Sequence, residues 1–140
     1  MNDRPCIVID TNVLLDLWVY SDPATPPLRE ALENGHLRWL ATADMREELR
    51  RVLDYPHIAK RRDKDGCSLQ AVMQSFDRLS ESVAQAPRCA FVCKDPDDQK
   101  FIDLAVAYKA VLLSKDRLVL KLSKRLLSAG VITKQAWLQN

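Results

Sequence analysis

The sequence predicts an α/β protein built on a parallel sheet with helices on both faces. Two short runs carry that prediction, Cys6-Ile7-Val8-Ile9 and Ala110-Val111-Leu112-Leu113. Each is apolar without the alternation of a half-exposed strand, so each reads as a strand covered on both sides. The third observation is the order of the remaining segments: strand, helices, strand, helix, strand, helix, strand, helix. Such alternation needs crossover connections and therefore a parallel sheet.

The 140 residues suit one domain, residues 1–140, long enough to bury its own core. An apolar content of 47% and a charged content of 29% match a globular protein, and 3 glycines leave little room for linkers. No apolar run is long enough to span a bilayer, and Met1-Asn2-Asp3-Arg4-Pro5 lacks a signal-peptide pattern. The expected compartment is the cytosol, with no membrane partner. Cys6, Cys67, Cys89 and Cys93 fit it as reduced thiols. Cys89 and Cys93 have no second pair nearby, and His36 and His57 stand far away in sequence, so a zinc site is not expected.

Taken in order, the first strand runs into Asp10-Thr11-Asn12, small polar residues suited to a helix start. Val13 to Tyr20 is apolar on nearly every side except Asp16, which predicts a short, deeply packed helix. Ser21 to Pro27 reads as a loop, Leu28 to Asn34 as a helix stopped by Asn34-Gly35, and Leu37 to Ala41 as a second strand. Thr42-Ala43-Asp44 opens a helix to about Leu53, with Met45, Leu49, Val52 and Leu53 as its buried stripe. At helical spacing Glu47 points away from that stripe and sits three residues after Asp44, a capping-box position; Glu48 lies on the stripe's shoulder. Asp54 to Gly66 carries the cluster Lys60-Arg61-Arg62-Asp63-Lys64-Asp65, expected as a solvated helix end or loop. Ser68 to Val83 is a further amphipathic helix.

Ala90 to Cys93 is a third strand candidate, leading to Asp95-Pro96-Asp97-Asp98 and a helix to about Lys109. Asp95 reads as N-cap and Pro96 as the first helical residue. Asp98 aligns with Ile102 and Ala105 on the face toward the sheet, whereas Asp97 and Asp103 read as surface acids. The strand Ala110 to Ser114 ends in Lys115-Asp116. Leu118 to Leu127 is a basic helix, Val131 to Thr133 an edge strand, and Trp137 and Leu138 fall in a short tail helix.

Asp10 and Asp116 thus follow two strands, Asp98 begins the helix leading into the second of them, and Glu48 starts from the helix after another. All four belong at the carboxyl edge of the sheet, where open α/β folds keep their sites. Two like charges about 4 Å apart repel by roughly 4 kcal/mol at an effective dielectric of 20. Either a proton or a divalent cation must relieve the cluster. With no His or Cys among them, hard Mg²⁺ or Mn²⁺ is the expected ion, suited to phosphoryl transfer to water. The net charge of +2 leaves a basic surface around such an acidic pocket, which fits a polyanionic substrate.

At these residues the chain resembles a family. Ile9-Asp10-Thr11-Asn12, Glu48-Leu49, Asp95-Pro96-Asp97-Asp98 with Phe101 and Ala105, and Leu113-Ser114-Lys115-Asp116 look like the four acidic motifs of PIN domains. More narrowly they resemble the bacterial and archaeal toxins of toxin–antitoxin pairs. The resemblance spans about residues 5 to 135. It implies a three-layer α/β/α sandwich around a parallel sheet of about 4–5 strands. It also implies Mg²⁺- or Mn²⁺-dependent endoribonuclease activity on single-stranded RNA. By motif match, Asp10, Glu48, Asp98 and Asp116 are the metal ligands and catalytic acids. Thr11, Asn12 and Ser114 are implied to support them through side-chain hydrogen bonds; Ser114 stands where many members have Thr. The resemblance further implies a protein antitoxin lying across the site and allows a homodimer.

The competing readings differ in kind. A haloacid-dehalogenase-like phosphatase needs a second Asp two residues after the first, and that position is Asn12. A receiver-type phosphoacceptor needs a Lys after a later strand that cannot be placed. A PIN-like module that binds RNA or protein without cutting, or a housekeeping RNA-processing nuclease, shares the fold. Arg46, Arg50, Lys60, Arg61, Arg62 and Lys121 are the candidates to guide RNA, the alternative to an ordinary solvated surface.

Overall fold

A computed structural model describes residues 4–138 of the chain. Five parallel strands form one sheet in the order β3-β2-β1-β4-β5, with β1 at Cys6–Ile9, β2 at Arg38–Ala41, β3 at Ser80–Ser82, β4 at Val111–Leu113 and β5 at Thr133–Lys134. The helices are α1 (Thr11–Trp18), α2 (Pro26–Glu33), α3 (Ala43–Leu53), α4 (Pro56–Lys64), α5 (Leu69–Leu79), α6 (Gln99–Tyr108), α7 (Arg117–Leu120) and α8 (Ser123–Ser128). A single 3₁₀ turn, Pro96–Asp98, leads into α6. Among the described residues no helix is long and apolar enough to cross a membrane.

The two predicted central strands lie side by side, Ile9 level with Leu113, and both bury their side chains on both faces. From β1 the chain winds one way to β2 and β3 and the other way to β4 and β5. The strand order therefore reverses between β1 and β4, and a crevice opens outside their carboxyl ends. The Asp10 N–H donates to the Leu113 carbonyl at 2.9 Å, so the ladder continues until the first acid is in place. On one flank Trp39 meets Phe76 edge-on at 4.9 Å and Trp18 at 5.9 Å, which ties α1 and α5 to β2.

Several expectations change. The third strand is not Ala90–Cys93 but Ser80–Ser82, at the end of the segment expected as one helix from Ser68 to Val83. After Leu79 the chain straightens, the Ser80 hydroxyl donates to the Phe76 carbonyl at 2.6 Å, and residues 80–82 pair with β2. A polar, largely exposed edge strand carries no apolar run to reveal it. Residues 90–93 are a loop, and its backbone groups are satisfied by α6 instead. The Gln99 amide accepts from Cys93 N at 2.8 Å and donates to the Phe91 carbonyl at 2.8 Å and to Asp103 Oδ1 at 2.9 Å. Asp103 Oδ1 also accepts from Cys89 N at 3.0 Å, so Asp103 is a buried tether of the loop, not a surface acid.

Thr42, not Asp44, caps α3, its hydroxyl accepting from Met45 N, which removes the capping-box role of Glu47; Glu47 pairs with Arg50. The basic segment after β4 breaks into α7 and α8, the edge strand shifts to Thr133–Lys134, and no helix forms through Leu138. The four cysteines are free thiols.

Candidate metal centre

The β1–β4 crevice collects the acids. Asp10 follows β1 and is buried. Its Oδ2 accepts from the Ser114 hydroxyl at 2.8 Å, and its Oδ1 from the backbone N–H of Asn12 at 3.3 Å, which also caps α1. Ser114 Oγ in turn accepts from the Asp116 N–H at 3.1 Å, so one hydroxyl fixes the acids that follow two neighbouring strands. Asp116 caps α7 through Leu118 N at 2.8 Å.

Asp98 arrives from the other side, on the turn that opens α6. Asp95 caps that turn by accepting from Asp97 N at 3.0 Å, and Pro96 follows as its first residue, which aims Asp98 inward. One carboxylate oxygen each of Asp95, Asp98 and Asp116 lie within 4.8 Å of one another. Asp98 Oδ2 is buried and accepts no hydrogen bond among the described residues. Burial first, then the negative charges of Asp10 and Asp116, contact with the Asp116 carboxyl and the charge of Asp95 push the Asp98 carboxyl up to about 8. Asp10 is also raised, by burial, against the lowering effect of the Ser114 hydrogen bond.

Glu48 reaches the crevice from α3, as its place on the helix shoulder predicts. Its Oε1 accepts from the Thr11 hydroxyl at 3.0 Å, and Lys100 Nζ lies 2.7 Å from its Oε2, outside hydrogen-bond direction. Among the described residues, then, Glu48 has a cation and the Asp95–Asp98–Asp116 group has none. Thr11 and Ser114 make the side-chain bonds expected of them. Asn12 does not: only its backbone N–H serves Asp10, and its exposed side chain makes no hydrogen bond among the described residues.

Residues 6–118 match the family model described as the PIN domain. The chain belongs to the PIN-domain family. This PIN domain also superposes on a chain of the VapBC2 complex of Rickettsia felis, whose crystal structure holds a DNA fragment from the promoter of its genes. The TM-score is 0.60 and the identity 14%, covering 92% of this chain and 97% of that one, a likeness of fold. No curated protein sequence gives a significant match.

Sequence reasoning did not place Asp95 or Lys100 in the site of this PIN domain. Asp95 reads locally as a complete N-cap explanation, and only its spacing of three residues before Asp98 hints at more. Lys100 is one basic residue among many until the fold sets it against Glu48. The donors present are all oxygen, apart from the buried Cys93 thiol, which burial and the charges of Asp98, Asp116 and Asp95 push up and keep protonated. An orphaned buried carboxylate oxygen in an all-oxygen cluster fits a hard divalent cation.

The expected RNA guides are mostly engaged elsewhere. Arg62 is buried, donating to the Leu53 carbonyl at 3.0 Å and the Cys67 carbonyl at 3.3 Å. Arg46 pairs with Asp77, Arg50 with Glu47, and Arg61 with Asp65 while lying over the Tyr20 ring. Lys60 and Lys121 stay exposed.

Proposed function

We propose that this PIN domain is a Mg²⁺- or Mn²⁺-dependent endoribonuclease acting on single-stranded RNA, the toxin of a type II toxin–antitoxin pair in the cytosol. The observation that carries this reading is the buried, unpartnered oxygen of Asp98 in the Asp95–Asp98–Asp116 group, which makes no ion pair among the described residues. The expected ligands are Asp10, Glu48, Asp98 and Asp116, with Asp95 close enough to join them. Bound there, a divalent cation would acidify water and offset charge that builds on phosphate oxygens.

The chain's own groups prepare that chemistry. Hydrolysis joins a water oxygen to phosphorus, breaks the phosphorus–oxygen bond to a neighbouring ribose, and leaves the water's proton to be carried off. Ser114 holds Asp10 and the backbone of Asp116 in fixed relation, so neither acid needs to reorganise as charge moves. Thr11 fixes Glu48, and Lys100 supplies a positive charge beside it where a phosphate oxygen can approach. The Rickettsia felis neighbour, a VapBC2 complex on promoter DNA, supports a protein antitoxin as partner.

The test incubates purified protein with single-stranded RNA and Mn²⁺ or Mg²⁺. Cleavage should vanish with chelator and in Asp10→Asn. Cleavage that survives in Asp10→Asn would remove Asp10 from the site, and an absence of cleavage with retained RNA binding would favour the non-cutting module.

A further inference from the structure

We propose that the cavity beside the acids is a nucleobase subsite, which receives one unstacked base of the RNA strand next to the phosphate under attack. It rests on the nuclease reading for the direction in which the strand runs, but it is carried by features of its own. Asn12, Tyr20, Val52, Tyr55, His57 and Lys115 line a cavity of about 500 Å³, in the size range of small-molecule sites. A smaller cleft adjoins it, bounded by Glu48 and Lys100 and sharing the Val52 and Tyr55 wall. A strand held at the acids therefore has an open neighbouring cavity, not a closed protein surface.

The lining chemistry suits a base. Tyr55 is 48% exposed, its ring 6.4 Å from that of His57 and inclined by 37°. Tyr20 is half-buried, with the Arg61 guanidinium, itself paired with Asp65, 5.3 Å from its ring centroid. Lys115 Nζ lies 2.7 Å from the Asp16 carboxylate, which lines the same cavity, so the wall carries an ion pair. Aromatic faces of this kind stack on any base. The free amide of Asn12 offers two donors and an acceptor to a base edge. Only one residue separates Asn12 from Asp10, so base and phosphate would be held within a single nucleotide. A paired duplex keeps its bases stacked and cannot fill such a cavity, which gives a physical origin for a single-strand preference.

The test measures binding of a labelled single-stranded oligoribonucleotide, and of a same-length abasic ribose-phosphate strand, in chelator at low salt. Wild type should bind the strand with bases roughly 5- to 160-fold more tightly, the range of one stacked base. Tyr55→Ala should lose most of that preference while keeping its affinity for the abasic strand and its melting temperature; Tyr55→Phe should keep the preference. Equal binding of both strands by wild type, or an undiminished preference in Tyr55→Ala, overturns the subsite. Cleavage in Mn²⁺ is followed separately. A Tyr55-dependent preference without cleavage supports the subsite and defeats only the nuclease reading.

Discussion

On the β2–β3 flank each of four carboxylates meets an arginine, whereas at the β1–β4 edge Asp10, Asp98, Asp116 and Asp95 make no ion pair among the described residues. The flank pairs are Arg38–Glu81, Arg46–Asp77, Arg50–Glu47 and Arg78–Glu33, all well exposed. Hydrogen bonds from the arginines hold those four carboxyls below the usual range. At the β1–β4 edge, burial and neighbouring acids drive Asp10 and Asp98 the other way. The residue types are the same, and the surroundings decide the outcome. An exposed acid with an arginine in reach is satisfied within the chain; a buried acid among acids waits for a proton or an external cation. The two regions therefore respond to pH with opposite sign.

Asp98→Asn is the most severe way to break that contrast. If the cluster holds a catalytic cation, cleavage should fall by at least about 100-fold, because several kcal/mol of charge stabilisation is at stake. Stability should move in the opposite direction. Asp98 titrates near 8 in the folded chain and near its ordinary value of about 3.9 when unfolded. Between those values the folded state holds a proton that the unfolded state has lost, so the Asp98 contribution to cation-free stability is fully present below about pH 4 and is lost as pH rises toward 8. Thermal melts of chelated protein should show that decline from pH 5 to 8. Asp98→Asn should flatten it and raise the melting temperature at pH 8 by about 3–6 °C. Saturating Mn²⁺ should flatten it in wild type. A cation-free protein that melts higher at pH 8 than at pH 5 would contradict the raised carboxyl.

This contrast also explains what sequence reasoning could reach. Asp10, Asp98 and Asp116 are recognisable because each stands at the junction of a buried strand or stripe with a helix start, and local pattern fixes such junctions. Glu48 follows from a helical angle. Lys100 and Asp95 do not, since their roles arise from where α3, α6 and the turn before α6 come together in space. For the same reason Ser80–Ser82 was hidden: a polar edge strand is defined by its partner's backbone, not by its own side chains. Asn12 shows the limit of motif transfer, since its backbone serves the acid while its side chain faces the neighbouring cavity.

Arg62 gives the next effect in size, because it is a charge satisfied internally like the flank arginines yet buried like the acids. Its guanidinium ties the end of α3 to Cys67, three residues past α4, through two carbonyls, with Asp54 at 3.6 Å. Arg62→Ala should cost about 2–3 kcal/mol in denaturant unfolding, the range for hydrogen bonds from a charged group to buried acceptors. It should leave the salt dependence of RNA binding unchanged, whereas Lys60→Gln with Lys121→Gln should flatten that dependence without loss of stability. An Arg62→Ala protein of wild-type stability but flatter salt slope would return Arg62 to the RNA surface.

The smallest effect belongs to the flank. Arg46 and Asp77 form a two-pronged pair, with bonds of 2.7 and 2.8 Å, between α3 and α5. Good geometry places the pair at the upper end of its class, but both side chains are about half exposed and water screens them. A double-mutant cycle on Arg46→Ala and Asp77→Ala should give a coupling of no more than about 1 kcal/mol, falling further in high salt. The Arg46 hydrogen bond holds Asp77 below the ordinary carboxylate range, so the cycle should also lose its coupling once acid protonates Asp77, while the Asp98-dependent stability is then at its greatest. If the coupling instead survived both salt and acid, packing of the arginine stem between α3 and α5 would be holding the two helices together. Charge pairing would then no longer distinguish the flank from the acid edge, and burial alone would have to account for the difference between them.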